Sequence, residues 1–361
     1  MAHKPLVPNE EKVSETEFIV KGRMEGRRLD AYLGKRFFEY SRSYLQKLIK
    51  NGNVLIDGKT AKPGYKIKEG QKIFIRLPEL EPLHLKPQEM DIEIIFEDES
   101  IAVINKRADV VVHPSRGHME GTLVNGLLYY FENLSDFNDA YRPGIVHRLD
   151  RFTSGLLVIA KNNQSHAALA EQFQTRNIHK EYVALVEGKM RFENGTISLP
   201  LGIDPRNRER AAVCNGGKEA VTDYNVIARY PGFTLVHVFP KTGRTHQIRI
   251  HMKSQGNPIV CDSLYDAAPV LNKERILTNV TDKISVEEHD PEELLMDRTA
   301  LHAWRIHFEH PVTKQEMHLT APIAHDFLET LKFLEIFWPC PKVAEMIERQ
   351  GIKHEKDTDG I

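Results

Sequence analysis

The stretch GIVHRLDRFTSGLLVIAKN, residues 144–162, sets a single acid, Asp150, between His147, Arg148 and Leu149 on one side and Arg151 on the other. Thr153, Ser154 and Gly155 follow as turn formers, and the apolar, partly β-branched run 156–160 then reads as a buried strand ended by Asn162. Asp150 is therefore expected in a loop at the edge of a sheet. Opposite charge nearby favours the ionised form of a carboxylate, which is the form a nucleophile or a base must have. The same residues also suit an ion pair on a solvated loop, the commoner fate of a charge cluster.

Outward from this stretch, 361 residues with 41% hydrophobic content suffice for one large domain and a small one. The three cysteines, Cys214, Cys261 and Cys340, lack paired spacing, which speaks against a disulfide framework or a thiolate metal site and for a reducing compartment, so a cytoplasmic location is expected. No segment is apolar over the length a membrane span needs, and the N-terminus has no apolar signal core. The net charge of -2 hides a polarity: residues 18–78 hold fifteen Lys or Arg against five Asp or Glu. A basic module of that kind can hold a phosphate backbone, although a solvated basic face has the same composition.

Residues 1–17 are polar and without period and read as a flexible leader. Two short helices are expected next, with Leu29, Tyr32, Leu33 and then Tyr44, Leu45, Leu48, Ile49 at helical spacing, Ser41 as an N-cap and Gly52 as a stop. Strands follow on either side of Asp57-Gly58, a hairpin turn signal. Residues 79–90 read as a linker, and the main domain is expected over 91–335, with 336–361 a C-terminal extension ending in disorder.

Within the main domain, two strands are expected around the acidic turn 97–100, a helix behind Thr122, and aromatic core residues at Tyr129, Tyr130 and Phe131. A helix capped by Ser165 and a strand holding Tyr182 come after the central stretch. Residues 233–239 read as a strand and 245–255 as a helix, in which Arg249 follows Arg244 by five positions, so that the helix start can aim cations at one place. The acid-rich segment 266–298 reads as an exposed insertion, after which a strand from Leu301 and a closing helix complete an α+β fold. Among the seventeen histidines, His302, His307 and His310 invite a metal, but no ligand spacing supports one.

The wording His147-Arg148-Leu149-Asp150 followed by RFTSGLLVIAK closely resembles the catalytic motif of the RluA family of RNA pseudouridine synthases. Lys180-Glu181-Tyr182 resembles the family's second motif, and Gly243-Arg244-Thr245-His246-Gln247-Ile248-Arg249 its third. The segment with RRLDAYL, SRSYLQKLIKNGNVLIDGK and KIKEGQKIFI resembles the S-four RNA-binding domain. Two departures stand out: the family's Lys-Pro-x-Gly pattern is Lys106-Arg107-Ala108-Asp109 here, and Cys261 stands where the family often has Gly.

The resemblance implies a mixed, mainly antiparallel sheet core flanked by helices, preceded by a small basic α/β domain over 18–78, and an enzyme that isomerises uridine in RNA to pseudouridine without cofactor or metal. It casts Asp150 as the catalytic carboxylate, Arg249 as its ion-pair partner and Tyr182 as the ring that retains the detached base. Arg148 becomes the side chain that props the extruded base outward, with His147 and Arg244 as further substrate-binding residues. Arg28, Arg42, Lys47 and Lys50 become RNA contacts of the basic face. Ribosomal large-subunit RNA is the expected partner, with transfer RNA next and no obligate protein partner. A glycoside hydrolase would need a second carboxylate that nothing here marks. A non-catalytic RNA-binding protein with the same fold is the other alternative.

Overall fold

The computed structural model describes residues 6–37, 40, 42–82, 85–114, 120–136, 142–204, 210–281 and 289–349. The chain divides into two compact units, the first built from residues 1–86 and 136–143 and the second from 87–135 and 144 onward.

In the first unit a sheet of order β1-β4-β2-β3 carries two helices. Its elements are β1 (Leu6–Ile19), α1 (Leu29–Arg36), α2 (Arg42–Lys50), β2 (Val54–Ile56), β3 (Lys59–Thr60) and β4 (Lys72–Pro82). Leu29, Leu33, Leu45 and Ile49 from the helices meet Val54, Ile73 and Ile75 from the sheet in one buried cluster, as their spacing requires. Asp57 and Gly58 both have positive φ, 49° and 78°, the twist-matched conformation that an Asp-Gly pair favours in a two-residue hairpin.

From Leu6 on the leader is a strand, β1, which pairs antiparallel with β4 with a register shift between Asn9 and Val13. Its charges are what made it look unstructured. Glu15 meets Arg76 at 2.8 Å and Glu17 meets Lys72 at 2.7 Å, cross-strand pairs that a strand read alone does not display. The same pairing carries β4 to Pro82, into the stretch read as a linker, where Leu6 lies opposite Pro82. Ser41 falls outside the described residues.

In the second unit a nine-stranded sheet runs β5-β6-β7-β16-β8-β13-β12-β9, with β17 also on β16; its outer strands are β5 (Glu93–Glu97), β9 (Asn194–Ser198), β12 (Val221–Tyr230) and β17 (Glu316–Thr320). The strands nearest the central stretch are β6 (Ile101–Lys106), β7 (Ser154–Ala160), β8 (His179–Glu187), β13 (Phe233–Pro240) and β16 (Leu301–Glu309). All pairings in it are antiparallel except one, a short parallel contact of β7 with β16 at Ser154 and Gly155. That contact needs a glycine: a Cβ on Gly155, whose φ is +110°, would lie 2.2 Å from the Ala303 carbonyl oxygen. Every residue of β7 is buried, as an apolar run covered on both faces should be.

Several local expectations change. Helix α4 (Asn163–Thr175) is capped by Asn162, whose side chain accepts from the Ser165 N–H, so Ser165 is the third helical residue and not the cap. Thr122 does cap α3 (Leu123–Tyr130), in a box with Asn125. Of the three aromatics at its end only Phe131 is buried, and Tyr129 and Tyr130 are more than half exposed. The segment 266–298 is no mere insertion: β14 (Leu271–Asn272), α6 (Lys273–Leu277) and β15 (Leu294–Met296) bury Leu271, Ile276 and Met296. Its acidic part 282–288 lies outside the described residues. Beyond α7 (His325–Phe337) the C-terminal extension continues in α8 (Pro341–Glu348), which buries Val343 and Met346; residues 350–361, where disorder is expected, lie outside the described residues. No described helix is long and apolar enough to cross a membrane.

Candidate active site

Asp150 sits in the loop just before β7, one-fifth exposed, with its carbonyl accepting from the Thr153 N–H at 3.1 Å to close a turn. Two buried cations grip the backbone of this loop. Lys106, at the end of β6, donates to the carbonyls of Arg107, Val110 and Arg151 at 2.7, 3.0 and 3.0 Å. Arg298 donates to the Phe152 carbonyl at 3.3 Å and is itself held by Asp326 through 2.5 and 2.6 Å bonds. Burial and the Arg298 charge pull the Lys106 ammonium down to about 7, against the opposing pull of Asp150 and Asp109.

The loop departure at 107–109 leaves this arrangement intact. Asp109, at the position of the family's glycine, adopts φ +67°, a left-handed conformation that Asp tolerates better than most residues. The second departure has the same geometry: Cys261 has φ +60°. Both substitutions thus fall on turns that a glycine would make at lower cost.

Arg249 arrives from α5 (Gln247–Ser254), whose start is tied down by Gln247. The Gln247 Oε1 accepts from the Thr242 hydroxyl and the Arg244 N–H, and its Nε2 donates to the Val221 carbonyl and the Thr222 hydroxyl. Arg249 then spends two of its donors on Asp262, at 2.6 Å from Nε and 2.7 Å from Nη2. Its Nη1 donates to Asp150 Oδ2 at 3.2 Å. Burial opposes the charge, but the hydrogen bonds and charge of Asp262, followed by those of Asp150, outweigh it and raise the guanidinium pKa. The Tyr265 ring lies 4.9 Å from the guanidinium carbon, and its hydroxyl bonds His246 Nδ1 at 2.8 Å. His246 Nε2 is 3.9 Å from Asp150 Oδ1, and burial lowers its pKa although Asp150 works the other way.

Asp150, Arg249 and Tyr182 line one cavity of about 580 Å³ together with His147, Arg148 and Arg244, so all six residues singled out from the motifs meet there. Tyr182, on β8, is buried, and that burial, with Asp150 nearby, pushes its phenol pKa up. His147 is already engaged: its Nε2 accepts from the Val158 N–H at 2.9 Å, its ring packs 4.6 Å from that of Phe173, and burial with the Lys180 charge pulls it down to about 3. Arg148 is exposed, and Arg244 donates from Nε to the Glu219 carbonyl at 3.0 Å.

The motif reading missed Asp262, Lys106, Lys180 and His246. Asp262 had a visible signal, a lone acid closing the apolar run PIVC, but nothing in its spacing named Arg249 as the partner. In the first unit Arg28 is bound to buried Asp30 at 3.1 and 3.0 Å with its guanidinium half-exposed. Lys47 and Lys50 are exposed on α2; Arg42 begins that helix, and its side chain lies outside the described residues. The three histidines of the metal question are dispersed: His302 bonds Ser154, His307 lies 3.6 Å from Glu181 and His310 2.9 Å from Asp98.

Residues 100–254 match the family model described as RNA pseudouridylate synthase, and residues 27–73 match that of the S4 domain. An uncharacterized RNA pseudouridine synthase of Aquifex aeolicus (strain VF5) is 47% identical over 70% of this chain and 81% of its own length. The ribosomal large subunit pseudouridine synthase D of Xanthomonas campestris pv. campestris is 38% identical over 88% of this chain and 91% of its own. The solved structure of human RNA Pseudouridylate Synthase Domain Containing 4 shares the fold, with a TM-score of 0.50 and 23% identity over 67% of this chain and 93% of that one. With identities of this size over most of both sequences, and the S4 and synthase models matched in order, the chain belongs to the RluA family of RNA pseudouridine synthases and is an isomerase.

Proposed function

We propose that this pseudouridine synthase acts on large-subunit ribosomal RNA, with Asp150 as the catalytic carboxylate. The observation that carries the role of Asp150 is its pairing with Arg249 at the floor of a cavity that also holds Tyr182. The reaction breaks the N1–C1′ bond of a uridine, turns the freed uracil in place, and joins its carbon 5 to C1′ with loss of the carbon-5 proton. Attack on the sugar and removal of a sugar proton both call for an ionised carboxylate beside the ribose. Arg249 holds Asp150 in place through its Nη1 and offsets the negative charge that gathers on the departing base. Tyr182 supplies a ring against which that base is retained, and exposed Arg148 has the reach to occupy the gap left by an extruded nucleotide. The ribosomal assignment is supported by the relatives named ribosomal large subunit pseudouridine synthase D. In the first unit, Lys47 and Lys50 on the exposed side of α2, with half-exposed Arg28, supply the basic face that holds RNA through phosphates.

The test is chemical mapping of pseudouridine, by carbodiimide adducts and primer extension, on ribosomal and transfer RNA from cells lacking the gene. Treatment with wild-type protein is expected to add stops in large-subunit RNA, and treatment with Asp150→Ala none. New stops with Asp150→Ala would remove Asp150 from the chemistry, and stops confined to transfer RNA would move the target.

A further inference from the structure

The cations around the cavity differ in what neutralises them. Arg249 faces two carboxylates, Arg176 pairs with Glu219 at 3.0 Å and Lys241 with Asp223 at 3.4 Å. Arg148 is exposed, where water solvates its charge. Lys180 is different: it is largely withdrawn from solvent, and among the described residues its ammonium has neither a hydrogen bond nor an ion pair. Burial accordingly lowers its pKa. An ammonium largely withdrawn from water with no counter-ion is costly to keep charged, so the position makes physical sense where an anion arrives from outside.

The surroundings of Lys180 suit such an anion. It stands two residues before Tyr182 on β8, so both side chains leave the same face of the strand, about 6.6 Å apart along it. That separation is on the scale of the reach from a nucleobase to its own backbone. The Lys180 Nζ lies 6.0 Å from the Phe173 ring centre and 3.7 Å from where a Cβ on Gly243 would stand. Gly243 has ordinary φ, and a Cβ there would just touch the Lys180 ammonium, so a larger side chain at this position would crowd it. A second cavity of about 340 Å³ shares the wall made by Arg176, Lys180 and Lys241 and continues past it toward Phe239 and His307, which is room for a neighbouring nucleotide.

We propose that Lys180 anchors a phosphate subsite, holding a backbone phosphate of, or next to, the uridine whose base lies against Tyr182. The inference rests on the function proposed above. It assigns Lys180 to substrate binding and not to proton transfer.

The experiment uses the full chain and an unmodified transcript of large-subunit ribosomal RNA, with pseudouridine formation and filter binding followed across a salt series. Lys180→Met is expected to raise KM about tenfold, with a smaller fall in kcat, and to make the slope of log K against log salt shallower by about one. Lys180→Arg should restore that slope. Gly243→Val, which keeps the charge but crowds it, should also raise KM and flatten the slope, and it decides the matter if Lys180→Met does not fold. A wild-type KM and slope in Lys180→Met, or in Gly243→Val when that is the deciding variant, overturns the subsite. So does a loss confined to kcat in Lys180→Met, which would make Lys180 a proton carrier. If wild-type protein forms no pseudouridine on this RNA, the functional reading fails, and the salt slope still reports on Lys180 by itself.

Discussion

Arg249 divides its guanidinium between two carboxylates held in opposite ways. Asp262 is 1% exposed and takes two short bonds, whereas Asp150 is 20% exposed and takes one of 3.2 Å. The buried pair has the bidentate geometry that fixes an arginine in one orientation. The second pair leaves Asp150 Oδ1 without a hydrogen bond among the described residues, with His246 Nε2 3.9 Å away and the cavity beyond. Rigidity and accessibility are thus assigned to different carboxylates, with one arginine connecting them. A single Asp–Arg pair would have to provide both at once, and the long arm of an arginine without a second anchor loses rotamer entropy whenever it engages.

The sharpest way to break this division is to remove the connector. Arg249→Met is expected to lower turnover by about two to three orders of magnitude. It should also destabilise the fold by about 3–5 kcal/mol, because Asp262 is left buried and unpaired. Turnover within a factor of a few of wild type, measured on folded protein, would show that Asp150 needs no cation. Asp262→Asn attacks only the rigid half. It should lower kcat by about tenfold with little change in KM, and cost about 1–3 kcal/mol in urea unfolding. A KM effect without a kcat effect would mean that Asp262 shapes the cavity wall and does not orient Arg249.

A smaller effect concerns the strand that follows the loop. His302 is fully buried beside Ser154, and burial, followed by the Arg298 charge, holds its pKa down to about 3. The unfolded chain protonates this histidine near ~6.5, so the unfolded state binds more protons between those limits. The neutral ring therefore contributes stability that is fully present above ~6.5 and is lost progressively as pH falls toward 3. Melting temperatures taken from pH 7 down to 4.5 should fall less steeply in His302→Gln than in wild type. Parallel curves would indicate that the ring is not what titrates. The smallest change is expected in the first unit, where Lys47→Gln with Lys50→Gln should flatten the salt dependence of RNA binding by up to about two in slope, with kcat unaltered. A slope equal to wild type would take α2 off the RNA.

Much of the site was legible because the family's wording survives around Asp150, Tyr182 and Arg249. What was not legible has a common cause. Asp150 and Arg249 are 99 residues apart and Lys106 and Arg151 are 45 apart, and each contact is made only when β6, β7 and α5 are assembled in the sheet's order. Lys180 looked like the first letter of a motif, and that no counter-ion meets it among the described residues appears only once the cavity walls are in place. The leader failed for a related reason. The charges of β1 read as solvated until Arg76 and Lys72 stand across from them. The two departures from the family pattern looked like threats to loop shape, yet Asp109 and Cys261 keep left-handed backbone at some energetic cost.

Sequence by itself determined the apolar periods of the strands and helices, the Asp57-Gly58 turn, the concentration of positive charge in residues 18–78, and the chemistry available near Asp150. These are properties of neighbouring residues, and backbone sterics and side-chain period act over neighbours. Tertiary structure alone decided which carboxylate clamps Arg249 and which one faces the cavity, which cations hold the loop carbonyls, and that the half-buried ammonium of Lys180 has no counter-ion among the described residues. Ion pairs and hydrogen bonds depend on distances of a few ångströms between segments far apart in the chain, and local spacing does not set those distances.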